Sequence, residues 1–225
     1  MLENENAIDR RRFLTTVAVG AVTAGLAAVP GSKAIADGPP VASSMPLDAA
    51  LKKLGARKYK QVFDAPESNS SFPVIWSWAF LHTFNELKVK DEDIGCLVIL
   101  RHEAIPLAME DRLWAKYKFG EKFKIDDKTT KAPSLRNVVF NVKPEDMPLP
   151  DMAMDKVQAR GVVFGVCDLA MTVYSGMFAE GAGMSAADVK KDWVSGLLPG
   201  VVVLPSGVYA VNRAQAAGMT YCFAG

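Results

Sequence analysis

Two spacings of apolar residues alternate along this chain. Ile94 to Leu100, IGCLVIL, is a continuous apolar run of strand length, as expected for a parallel strand covered on both faces. Phe72 to Leu87, FPVIWSWAFLHTFNEL, is longer and has no internal breaker, which predicts a helix buried on most of its faces. Upstream, Leu47 to Leu54 reads as a short helix and Tyr59 to Phe63 as a first strand that stops before Pro66. Downstream of Arg101-His102-Glu103, the stretch Ala104 to Tyr117 resumes a helical pattern. Lys116 to Lys131 is charged, broken by Gly and Asp, and without apolar periodicity, so it reads as a surface loop; an ordered flap is the other reading.

The second half of the chain has a clearer rhythm. It predicts a helix over Met152 to Arg160, a strand over Gly161 to Val166 and a helix over Asp168 to Glu180. Ser185 opens the next helix, where Ser185 to Asp188 has capping-box spacing with Asp in place of Glu or Gln. A strand over Gly200 to Leu204, a helix over Ser206 to Ala217 and a short strand over Tyr221 to Phe223 follow. Helices between successive strands imply right-handed crossovers. The expected fold is therefore α/β: three layers, with a mainly parallel five-stranded sheet flanked by helices.

An apolar stretch from Val17 to Val29 falls short of the roughly 20 residues that a membrane-spanning helix needs. It follows Asp9-Arg10-Arg11-Arg12-Phe13-Leu14, which resembles the twin-arginine (Tat) export signal through Arg10 and Arg11, and it precedes Ala34-Ile35-Ala36, a small-x-small cleavage pattern. The resemblance implies a signal peptide over residues 1–36 and delivery of a folded protein to the periplasm. Residues 37–46 then read as a flexible linker and 47–225 as one domain. The alternative is an uncleaved anchor, in which case the chain meets a membrane only through this segment.

Composition narrows the partners. The leader takes four of the 26 basic residues (Arg10, Arg11, Arg12, Lys33) and three of the 25 acidic ones (Glu3, Glu5, Asp9), leaving 22 of each. A neutral chain with no basic stripe argues against nucleic acid. Cys96, Cys167 and Cys222 are too few and too widely spaced for a disulfide scaffold, and their odd number leaves a thiol unpaired. No Cys or His pair has the short spacing of a metal site, and the reading assigns no metal and no cofactor. Trp76, Trp78, Phe80 and Phe84 read as core or subunit contacts rather than a cofactor box.

Ligands of such sheets bind outside the carboxyl ends of the strands. Three strand ends carry candidate chemistry: Arg101 and His102, then Cys167 and Asp168, then Ser206 and Gly207. Cys167 has the strongest physical case, because it sits where GVVFGV stops and DLAMTVYSG begins a helix. A helix N-terminus favours negative charge and lowers a thiol's pKa. Arg101 could hold an anion and His102 act as a base, against the plainer reading of a backbone-bonded strand-end histidine; Ser206 reads as an N-cap that could also line a pocket. Cys96 should lie about a strand length, near 20 Å, from Cys167. A Cys167–Cys222 pair stays open.

ARGVVFGVCDLAMTVYSG, continued by LLPGVVVLPSGVYAVNRAQAAGMTYCFAG, resembles the DsrE/DsrF-like family of sulfur-relay proteins. Cys167 matches that family's sulfur-carrying position, and Gln215 with Gly218 fits its closing pattern. The resemblance covers about the last 75 residues, and Ile94 to Tyr117 loosely. It implies a thiol that takes sulfane sulfur as a persulfide and passes it to a partner, and assembly as a homotrimer or homohexamer with a sulfur donor or acceptor protein. A non-catalytic periplasmic binding or assembly protein on the same scaffold is the alternative. Exposure of Cys167 separates the two.

Overall fold

The computed structural model describes residues 43–225. The Arg10-Arg11 signal, its cleavage pattern and most of the linker lie outside the described residues. Helix α1 (Met45–Gly55) begins two residues earlier than the sequence suggests, with Pro46 in its first turn, where proline lacks no needed donor. Next come strand β1 (Tyr59–Ala65), helix α2 (Phe72–Glu86) and strand β2 (Ile94–Leu100). The remaining elements are α3 (Asp111–Tyr117), α4 (Phe119–Phe123), α5 (Met154–Ala159), β3 (Val163–Cys167), α6 (Asp168–Ala182), α7 (Ala186–Ser195), β4 (Val202–Leu204), α8 (Gly207–Ala216) and β5 (Thr220–Phe223).

The five strands form one all-parallel sheet in the order β4-β3-β2-β1-β5. Strand side chains alternate between faces, which divides the apolar residues into two cores. Val62, Leu97, Ile99 and Leu204 meet Leu47, Leu51 and Leu54 of α1 and Ala210 and Ala214 of α8. Phe63, Val98, Leu100, Phe164 and Val166 meet the opposite layer, which includes Val74 and Leu81 of α2, Met171 of α6 and Trp193 of α7. Every residue of β2 is buried, as its unbroken apolar run requires.

The connections after β1, β2 and β3 therefore all cross one face, whereas α8, after β4, crosses the other. Neighbouring strands β3 and β4 send their chains to opposite sides. That divergence opens the crevice at which parallel α/β sheets place ligands.

Three expectations need correction. Ala104 to Tyr117 is not one helix: His102–Ala108 forms a 3₁₀ segment containing Pro106, and Met109 is extended and bridged to Leu197 before α3 starts. Proline blocks the α-helical bond at that point. The charged segment Lys116 to Lys131 is no solvated loop, because Phe119, Phe123 and Ile125 are buried and Phe119 packs on Tyr117, Phe178 and Trp193. Its apolar positions are hidden among lysines, which is why periodicity fails to show it. Finally, α2 is covered on one side only: Val74, Ser77 and Leu81 are buried, while Phe72 is 41% exposed.

The capping-box spacing is realised, with the Ser185 hydroxyl accepting from the Asp188 amide at 3.1 Å and donating to its carboxylate at 2.6 Å. No helix among the described residues is long and apolar enough to cross a membrane.

Candidate functional site

Cys167 closes β3 and caps α6. Its Sγ accepts from the Ala170 amide at 3.2 Å, inside the first turn of α6, and from the Gly207 amide at 3.2 Å, at the start of α8. Two helices of opposite layers thus begin at one sulfur. The arrangement exists because β3 and β4 are neighbours, paired through Cys167 and Leu204, and their chains leave to opposite faces. Gly165 permits this closeness: a Cβ there would stand 2.5 Å from Leu204 Cδ1.

Ser206 caps α8 as expected, accepting from the Tyr209 amide at 3.4 Å. Gly207 has a second role. A Cβ on it would lie 2.7 Å from both Cβ and Cδ of Arg101, so only glycine lets the β2 end and the β4–α8 turn pack together. Arg101 is fixed in turn by Asp64, its Nε and Nη2 donating to the carboxylate at 2.7 and 3.0 Å. Tyr221 of β5 donates to the same carboxylate at 3.1 Å. The hydrogen bonds to Asp64 above all, then the smaller pull of Tyr221 and Cys167, raise the Arg101 pKa against the effect of burial. The guanidinium is a permanent cation beside the sulfur.

The remaining candidates, His102 and Asp168, are each engaged by a neighbour. His102 turns through a positive φ of 51° and packs edge-on against Tyr174, two helical turns beyond Cys167. Asp168 is buried in an ion pair with Lys190, whose Nζ lies 2.8 Å from Oδ1 and 2.9 Å from Oδ2.

The thiol's protonation departs from expectation. Burial pushes the Cys167 thiol up, and it outweighs the downward pull of the Ala170, Gly207 and Leu169 amides; Asp168 adds to the rise. Cys167 is only 5% exposed. Helix termini stabilise an anion that forms there, but at this buried site desolvation wins.

The described cysteines are all free thiols. Cys222 lies on β5 and Cys167 on β3, with β1 and β2 between them. Three strand spacings amount to about 14 Å, beyond the roughly 7 Å that a disulfide tolerates between Cα atoms. The pair is thereby closed off. Cys222 is half-buried at the edge of a groove of about 330 Å³ lined by Gln61, Phe63, Trp76, Phe80 and Phe84, and burial raises its thiol too, against a hydrogen bond from Gln61. Those α2 aromatics line this groove, away from Cys167. No cluster of His, Cys, Asp and Glu that could hold a metal occurs among the described residues.

Asp64, Tyr221 and Lys190 complete the surroundings of the candidate residues, and sequence reasoning missed all three. The signal for Asp64 was a carboxylate at the carboxyl end of YKQVFDA, visible once β1 is extended past Phe63. Comparison with protein-family models, with curated proteins and with solved structures gives no match to this chain.

Proposed function

We propose that this is an exported sulfur-carrying protein that holds sulfane sulfur as a persulfide on Cys167. The observation that carries the reading is the convergence of two backbone amides, from the first turns of α6 and α8, on one sulfur at 3.2 Å. Amides so placed favour a negative sulfur. In the transfer, Cys167 loses its proton and its sulfur attacks the outer sulfur of a donor persulfide. One S–S bond forms on Cys167, the donor's S–S bond breaks, and the donor departs as a thiol that takes up the proton. Arg101, anchored by Asp64, balances the charge gained. The likeness to DsrE/DsrF-like proteins points the same way, as does its implication of homotrimers or homohexamers.

Leu169, Val208 and Tyr209 support docking of a partner over the site. They stand on the first turns of α6 and α8 and remain 37%, 65% and 38% exposed. Apolar residues that ring a buried reactive group suit a partner that brings its own thiol. The resemblance of Arg10 and Arg11 to a twin-arginine signal supports work in the periplasm, after loss of residues 1–36.

A second reading, a non-catalytic binding or assembly protein, is favoured by one observation: the Cys167 thiol is buried and its pKa is raised. Mass spectrometry of the folded protein after thiosulfate or polysulfide treatment separates the two. The carrier reading expects a 32 Da adduct (about one sulfur atom) that disappears in Cys167→Ser, with the free thiolate as attacking form. A wild-type protein that gains no sulfur, or gains it equally at Cys96 and Cys222, overturns it and leaves the scaffold reading.

A further inference from the structure

We propose that Lys190 is a positioning residue for the Cys167 site: its ammonium neutralises the Asp168 carboxylate and so protects the negative charge that sulfur transfer places on Cys167. The inference rests on the reading of Cys167 as the sulfur-bearing residue. Lysine and aspartate are rarely buried unless paired, and here both are, with side chains 8% and 5% exposed. They join α6 to α7 across 22 positions of sequence. A buried ion pair is weak ground for stability, since apolar residues of similar volume often do as well or better.

Location accounts for it. Asp168 is the first residue of α6, directly after the thiol, and it opposes ionisation of Cys167. Among the described residues, charge reaches this sulfur from few directions. Arg101 faces it from the end of β2, its guanidinium shared between the sulfur and Asp64. Asp168 faces it from α6, and Lys190 acts from α7 through Asp168. The α8 side brings the uncharged Ser206 and Gly207. Without Lys190, Asp168 would lose the ammonium that pairs with it, and its opposition to a negative sulfur would grow.

The test is an NMR titration of the full-length protein carrying ¹³Cβ-labelled cysteine, with the Cys167 signal identified by its loss in Cys167→Ser. Lys190→Met should raise the Cys167 midpoint by about one pH unit, a tenfold loss of thiolate at fixed pH. Asp168→Asn should move it the opposite way, and Asp168→Asn/Lys190→Met should return it close to wild type, while Lys190→Arg keeps it. A pair that does not act on the sulfur would shift melting temperatures and leave these midpoints in place. Midpoints unmoved in both single variants, or moved in the same direction, overturn the proposal. Should Lys190→Met not fold, Lys190→Gln is titrated in its place, with the same upward shift expected and an unmoved midpoint overturning the proposal. If the titrations respond as stated but wild type takes no sulfur, only the carrier function falls; if sulfur loads and the midpoints stay fixed, only the role of Lys190 does.

Discussion

The stem of Arg101 occupies the space where a side chain on Gly207 would begin, 2.7 Å from the position of its Cβ. The contact ties the ends of β2 and β4 together, and it aims the Gly207 amide at Cys167. Site geometry and packing thus share one glycine.

Gly207→Ala should therefore destabilise the fold by about 1–3 kcal/mol, the usual range for overpacking a filled site. Thermal unfolding measures it. Arg101→Ala/Gly207→Ala should lose less than the sum of the two single changes, because removing the stem makes room for the methyl. Strictly additive losses would place the strain elsewhere.

Asn137 pins the segment between α4 and α5 to the rest of the molecule. Its side-chain amide donates to the Leu107 and Met109 carbonyls at 3.0 and 2.8 Å, and its oxygen accepts from the Val139 and Phe140 amides at 2.8 and 3.0 Å. Asn137→Ala strands these buried groups, and each such orphan costs about 1–3 kcal/mol. A large drop in urea midpoint is expected, with early proteolysis between Lys118 and Lys143. A midpoint within error of wild type would show that the segment is held by its aromatics alone.

Asp192 predicts the acid side of the stability curve. Burial alone would raise its carboxyl, but hydrogen bonds from Lys116, Arg112 and Tyr117 outweigh it and hold the pKa down at about 2. A lowered folded pKa means stability present above the unfolded value, about 3.9, and lost as pH falls toward the folded one. Urea midpoints should fall between about pH 4 and pH 2, and less steeply in Asp192→Asn. Equal slopes would remove Asp192 from the acid transition.

The thiols predict the alkaline side. Cys167 has a raised folded pKa, so its contribution is complete below the unfolded thiol value of about 8.5 and is lost as pH rises through the folded one. Cys167→Ser should flatten the alkaline fall in stability. In native protein at pH 8, a bulky thiol reagent should react rapidly with half-buried Cys222 and only slowly with buried Cys96 and Cys167. Cys222→Ser should abolish the rapid phase. Rapid labelling of Cys167 instead would reveal an opening motion at the α6–α8 junction.

Sequence patterning was informative where an element's burial follows from its own residues. IGCLVIL must be a strand covered twice, and the alternation of strands with helices requires parallel crossovers. Patterning failed where neighbours decide burial. Phe119 and Phe123 sit among lysines and look solvated, yet they are buried because Phe178 and Trp193 stand opposite them.

The site divides in the same way. Local sequence placed Cys167 at a strand end and a helix start and named Ser206 as a cap, since both depend on bonds within a few residues. Only the tertiary structure brought Gly207 to the sulfur, Asp64 to Arg101 and Lys190 to Asp168, across 40, 37 and 22 positions. It also decided the thiol's state: a helix terminus is local and favours the anion, whereas desolvation is set by everything packed around the sulfur, and in the resting protein desolvation is the larger effect.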